Sequence, residues 1–264
     1  MNEQTPQNEE QLTRMVEPDI IKMGVIPRLL NIFVSPGELM QNIKTYPIIS
    51  VPLIASIIIG LVSIPILQQS AELMNQQLSN ISIERFGIDL MNPVVDEYGD
   101  AIATIMDTAV LVGLVAAAFF GPLIMTALST VGFWILCKIA GGQATFAQLF
   151  SMNLHIYVFA ALTTGLIVQT LMVLTGNFLD MTSLAAVIMP GGDISMVAFN
   201  IFSAISIFTV WIAILNFIGI KTINDFSGVR AGVITVIAFS AGIAIHVGTL
   251  MSTFIIWDLT MGGF

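Results

Sequence analysis

The sequence predicts an all-α protein: a polytopic helical membrane bundle of five transmembrane helices, with its N-terminus cytoplasmic and its C-terminus external. Composition is the first observation behind this. Of 264 residues, 56% are hydrophobic and 9% are charged, whereas a soluble domain is roughly 45–50% apolar and about 25% charged. No single soluble core absorbs that much apolar surface. The second observation is segmentation. The apolar residues gather into five runs, each long enough to meet the roughly 20 residues that a helix needs to cross the hydrocarbon core. They are too long and too evenly apolar for barrel strands, and helices satisfy their own backbone groups in lipid. Charge placement is the third. Arg14, Lys22, Arg28, Lys44, Lys138, Lys221 and Arg230 fall on one side of five alternating spans, and only Arg85 falls on the other. That is a strong positive-inside bias.

Taken in order, residues 1–27 form a polar, disordered cytoplasmic tail, and residues 28–264 form the membrane domain. Ser35-Pro36-Gly37-Glu38 supplies an N-cap serine, a proline at the first helical position and an acid three residues after the cap. It starts a short helix over 36–45. Leu39, Ile43 and Tyr46 share one of its faces, which suits an element lying along the headgroup boundary. The first span follows over about 48–67 and, at this depth in the chain, serves as a permanent anchor rather than a cleaved signal.

An external loop over 68–107 comes next. Leu67, Ala71, Met74, Leu78 and Ile81 recur at amphipathic spacing, so this stretch either extends the first helix or folds back over the bundle. The second span covers about 108–136, and Gly121-Pro122 predicts a kink within it. Thr145 and Gln148 make a capping box just past Gly141-Gly142 and open the third span, about 147–174. The fourth covers about 195–220 and the fifth about 231–257. Trp211 and Trp257 are candidate interfacial anchors. Two ladders of small residues, Ala109, Gly113, Ala117, Gly121 and Ser240, Ala244, Gly248, Ser252, predict packing seams within the bundle, with contact between copies as the alternative.

Composition also excludes functions. A net charge of −9 with eight Lys/Arg lacks the electrostatic footprint of a nucleic-acid binder. The lone Cys137 makes neither an internal disulfide nor a thiolate metal site. No G-x-S-x-G or phosphate-cradling motif occurs, and no Asp or Glu lies well inside a span. Asp193 reads as a helix cap. Asp96, Glu97 and Asp100 lack the ligand order of a calcium loop. No catalytic, cofactor-binding or metal-ligating residue is assigned, and no cofactor is expected. Asn153, His155, Gln169, Asn200, Asn216 and His246 are the in-span polar residues that must bond between helices or line a pathway. At about 1.5 Å per residue, His155 and His246 stand about 9 Å apart in depth, too far for a shared metal.

The cytoplasmic tail, the pre-membrane helix Arg28-Leu29-Leu30-Asn31-Ile32-Phe33-Val34-Ser35-Pro36 and the span entry at Tyr46-Pro47 come in a recognisable order. Gly141-Gly142-Gln143-Ala144-Thr145-Phe146 opens the third span, and Trp211 to Lys221 closes the fourth. Over about residues 28–250 this order resembles the prokaryotic branch of the Yip1 family. The resemblance implies five spans with a cytoplasmic N-terminus. Eukaryotic relatives bind Rab-type GTPases, and they carry an Asp-Leu-Tyr-Gly-Pro string before their first span. This chain has Val34-Ser35-Pro36-Gly37-Glu38 there, so no GTPase-binding residue is carried over. The expected role is a non-enzymatic protein of a bacterial inner membrane, acting through membrane lipids, a membrane-protein partner or a second copy. Residues Arg28 to Tyr46 are the expected docking surface. The alternative is an accessory or permease-like subunit of a transport system.

Overall fold

The computed structural model describes residues 21–86, 99–176, 181–188 and 196–261. Helix α1 spans Val25–Val34 and α2 spans Pro36–Thr45, joined at Ser35. Helix α3 (Ser50–Phe86) carries the first span and α4 (Gly99–Ile139) the second. The third is composite: α5 (Phe146–Ala160), a π-helical stretch over Ala161–Val168, and α6 (Gln169–Thr175). Two short helices follow, α7 (Leu184–Ile188) and α8 (Met196–Ala204), then α9 (Ile207–Asn224) and α10 (Gly228–Met261). Five of these helical stretches are long and apolar enough to cross a membrane.

The boundaries follow local chemistry. Thr145 accepts from the Gln148 backbone N–H while the Gln148 side chain accepts from the Thr145 N–H, so the expected capping box starts α5 as read. Ser35 is at the N-cap of α2 with Pro36 in the first turn, but no side-chain cap bond forms there. Helix α3 continues unbroken past the bilayer-length segment to Phe86, so the amphipathic stretch extends the first helix instead of folding back. The side chains of Met74, Leu78 and Ile81 lie outside the described residues, as do 87–98, Asp193 and the side chain of Trp257. Helix α1 begins at Val25, inside the segment expected as tail.

The segment expected as one fourth span, 195–220, is two helices. They break at Ile205-Ser206, where Ser206 caps α9 in a reciprocal box with Thr209. The freed backbone at the break is satisfied from the side. Leu184 N–H donates to Ile205 O at 2.8 Å and Ile207 N–H to Thr182 O at 3.2 Å. An interruption in a span is tolerated where other protein groups satisfy the backbone in this way.

Between 11% and 28% of the most apolar stretch of each span is buried, leaving the rest to face lipid. Val112, Phe120, Met125 and Leu128 of α4 are exposed in just this sense. Among the described residues the core is weighted toward one end of the bundle and reaches as far along α5 as Phe159. There Ile32, Leu39, Met40, Ile43, Leu149, Met152, Leu215 and Ile220 form one buried cluster contributed by α1, α2, α5 and α9. The physical reason is solvent: apolar transfer drives burial against water, but helices in lipid gain little from it.

Helix α5 is the central strut, packed by α1, α2, α3, α4 and α9. The α3–α4 contact depends on small residues, since a Cβ on Gly60 would stand 3.2 Å from the Ala118 Cβ. The expected ladder on α4 is one residue out of register. Gly113 has open space around it, and the buried positions are Ala118, Thr126 and Thr130. One residue turns a helical face by about 100°. On α10, Ser240, Ala244 and Gly248 are likewise exposed, and Ala231, Ile234 and Thr235 are the buried positions.

Candidate functional site

Two places concentrate polar chemistry: a collar at the core end of the bundle, and a groove within the spans. In the collar, Arg28 is completely buried. It donates through Nη1 to Tyr46 O at 3.0 Å and through Nη2 to Asn42 Oδ1. Asn42 in turn donates to Ile21 O at 2.9 Å, which fastens the start of α1 onto α2. Burial lowers the Arg28 pKa from its ordinary value, because removing water penalises the charged form.

The collar then locks onto the spans. Gln148 Nε2 donates to Lys44 O at 2.6 Å, capping the end of α2, and Ser151 Oγ donates to Ile48 O at 2.7 Å. Lys44 pairs with Asp225 at 2.6 Å, an exposed bridge of the class that contributes about 0–1 kcal/mol. Asn224, ending α9, accepts from the Ala144 N–H at 3.1 Å. Gly142 lies beneath it in the α4–α5 turn.

The docking face expected on α2 is therefore occupied from within. Leu39 and Ile43 are fully buried, pressed by α2 against α9 and α5. The apolar face left open belongs to α1, where Ile26 is 70% and Val34 78% exposed. Trp211 is partly buried against the core cluster, so it packs inward instead of anchoring an interface.

The groove has a volume of about 410 Å³ and opens between α8, α9 and α10, with Thr164 of the π stretch and Phe133 of α4 on its wall. Its hydroxyls are largely spent on their own helices: Thr164 bonds Ala160 O at 2.7 Å, Ser203 bonds Phe199 O at 2.9 Å and Thr235 bonds Ala231 O at 2.9 Å. Asn216 donates to Ile212 O at 2.9 Å, and its buried Oδ1 has no partner among the described residues. His246 also lines the groove. Asn216 and His246 thus meet one cavity, while Asn153 and His155 do not join them.

Asn153 is paired across helices inside the bundle, and His155 is held there at one ring nitrogen, its buried Nε2 having no partner among the described residues. Asn153 Nδ2 donates across helices to Thr130 Oγ1 at 2.9 Å, and that hydroxyl donates on to Thr126 O at 2.6 Å. His155 faces Ser151 O of its own helix through Nδ1 at 2.7 Å, so it does not bridge helices. A double-mutant cycle on Asn153→Leu and Thr130→Val, read by unfolding in detergent, is expected to give about 0.6 kcal/mol of coupling and at most about 1.7. Zero coupling would remove the cross-helix bond from this account.

These pieces, from the paired pre-membrane helices to the glycine turn and the end of α9, fall largely within one known domain. The Yip1 domain profile matches residues 30–251. The chain belongs to the Yip1 family. The matched stretch takes in the core cluster, the glycine turn and the groove, and the Yip1 family is generally one of non-enzymatic membrane proteins. The chain is also similar to the membrane protein YknW of Bacillus subtilis strain 168, at 25% identity over 224 residues, covering 81% of this chain and 85% of that relative. No solved structure matches it. This Yip1-domain chain is a multi-pass membrane protein. Sequence reasoning found Asn153, His155 and Asn216 by their depth in apolar runs. It missed Asn42 and Asn224, which sit in polar surroundings where nothing local marks an asparagine as buried.

Proposed function

We propose that this Yip1-domain protein is a non-enzymatic scaffold or adaptor of a bacterial inner membrane, working through lipid and protein contacts. Its N-terminus and collar face the cytoplasm and its C-terminus faces outward, in keeping with the lysines and arginines gathered at the collar end. The observation that carries this reading is the way polar groups are spent along the central helix. Asn153 bonds to Thr130 and His155 bonds through Nδ1 to Ser151 O, and the charges within the spans, Glu72, Lys138, Lys221 and Arg230, lie close to a span end. A self-sufficient carrier instead offers midplane charges or interrupted paired helices for coupling. Partners are membrane lipids and a second membrane protein or second copy, for which the exposed small-residue faces of α4 and α10 allow close approach. Nucleic acid is not among them, and no GTPase-binding residue is carried over from the eukaryotic relatives.

A second reading, an accessory subunit of a transport system, draws on the groove beside the break at Ile205-Ser206. The test is flux across proteoliposomes containing the purified chain alone. Permeability to ions and small solutes is expected to equal that of protein-free vesicles, and Asn216→Leu is expected to leave it unchanged. Flux that Asn216→Leu or His246→Leu abolishes would overturn the scaffold.

A further inference from the structure

We infer that the cavity between the start of α1 and the start of α3 is a binding site for the phosphate of an anionic phospholipid, held by Arg28 and Lys22. This deepens the lipid-contact part of the proposed function and does not depend on which protein the scaffold holds. The cavity has a volume of about 370 Å³ and is lined by Lys22, Gly24, Val25, Arg28, Ile48 and Val51 together with Met23. Among the described residues it therefore has two cations, an apolar wall and no acid.

Arg28 is the decisive residue. Its exposure is 0%, yet among the described residues no carboxylate pairs with it. Its partners, Tyr46 O and Asn42 Oδ1, are neutral, and its Nε–H has no partner among the described residues. Taking an ion out of water costs several kcal/mol, which only good geometry and an opposite charge repay. A guanidinium presents several N–H donors in a planar fork that matches phosphate oxygens. Helix α1 adds to the field. Its first turn holds no acid, and Gly24 gives it no side-chain cap, so among the described residues the positive end of a ten-residue helix faces this region without a carboxylate to answer it.

The surroundings select a lipid over a free ion. Ile21 is 82% exposed and Ile26 70%, large apolar side chains next in sequence to the lining residues Lys22 and Val25, and Val34 at the far end of α1 is 78% exposed. Ile48 and Val51 flank the entry of the first span. An amphipathic helix with this face lies at the boundary of headgroups and acyl chains, and the adjoining leaflet is anionic on the cytoplasmic side. A phosphate in the cavity then has its acyl chains alongside α1 and α3.

The experiment uses the full chain in nanodiscs of phosphatidylcholine with increasing phosphatidylglycerol. Lipid retained after transfer to detergent is read by native mass spectrometry. Wild type is expected to retain one phosphatidylglycerol in preference to phosphatidylcholine. Lys22 is exposed, so Lys22→Gln keeps the fold and is expected to weaken retention about fivefold, as loss of one basic residue near an anionic surface does. Lys138→Gln, at the same end but outside the cavity, is expected to leave retention unchanged. Equal retention by wild type and Lys22→Gln, or equal loss with Lys138→Gln, would overturn the site. So would full replacement of the lipid effect by millimolar inorganic phosphate, or selectivity that appears only after Glu17→Gln and Asp19→Asn remove competing tail carboxylates. Failure here with no flux in proteoliposomes leaves the scaffold standing, and flux with intact selectivity defeats the scaffold alone.

Discussion

Replacing Gly142 with alanine is expected to loosen the whole collar, at a cost of about 1–3 kcal/mol. A Cβ there would stand 2.8 Å from Phe226 Cζ and 2.9 Å from Cys137 O, and would collide with Asn224 Oδ1. None of the three has room to give cheaply. Cys137 O accepts from the Gly142 N–H at 2.7 Å and closes the end of α4. Asn224 Oδ1 accepts from Ala144 N–H just before α5. Phe226 belongs to the buried core cluster. One methyl group therefore pushes against α4, the α5 entry and the end of α9 together. Its neighbour is the control. Gly141 has φ +80 and open space around it, so Gly141→Ala costs only the left-handed backbone, about 1–2 kcal/mol. Gly132 is in the helix α4 interior with nothing near, and Gly132→Ala is expected to be neutral or stabilising by up to about 1 kcal/mol. Unfolding midpoints in detergent should rank Gly132→Ala highest and Gly142→Ala lowest. A Gly142→Ala midpoint equal to that of Gly132→Ala would mean the turn is not packed as described.

The spans were legible in the sequence because hydropathy over some twenty residues is a local sum, and the Thr145–Gln148 box because capping spans one turn. The break at Ile205-Ser206 was not. Its box uses Thr209 where the usual signature has Glu or Gln, and the apolar run continues through it. The two pre-membrane helices show a different difficulty. Both α1 and α2 are amphipathic, and amphipathicity alone does not say which apolar face meets lipid. The choice is made by Arg28 reaching Tyr46 O and Asn42, eighteen and fourteen residues along the chain. Those bonds tie the helices together, with the apolar face of α2 against α9 and most apolar side chains of α1 outward, while Ile32 joins the core. As packing seams within the bundle, the small-residue ladders fail for a related reason. In lipid, an exposed glycine face and a packed one carry no hydropathy difference, so spacing identifies candidates without selecting among them. On α4 the choice falls to the stripe that offers Thr130 to Asn153.

Asn42→Ala is expected to cost about 1.5–3 kcal/mol, the range for hydrogen bonds to a charged group, and to act on α1 before anything else. Asn42 is 1% exposed. Its loss leaves Arg28 buried with Tyr46 O alone and strips Ile21 O of its partner. Hydrogen exchange should show the amides of Val25–Val34 losing protection while α5 and α9 keep theirs. Unchanged α1 exchange would show that the helix is held by its apolar contacts and not by the polar pair. The double variant Arg28→Met with Asn42→Leu separates fold from function. Replacing buried charge and partner together by apolar groups leaves no unpaired charge, so in phosphatidylcholine it is expected to be more stable than Asn42→Ala, although Tyr46 O and Ile21 O lose their donors. Addition of phosphatidylglycerol should then stabilise wild type by mass action and leave the double variant where it was. A buried arginine that costs the free fold stability, and returns it only with an anionic lipid bound, is explained by the ligand it waits for.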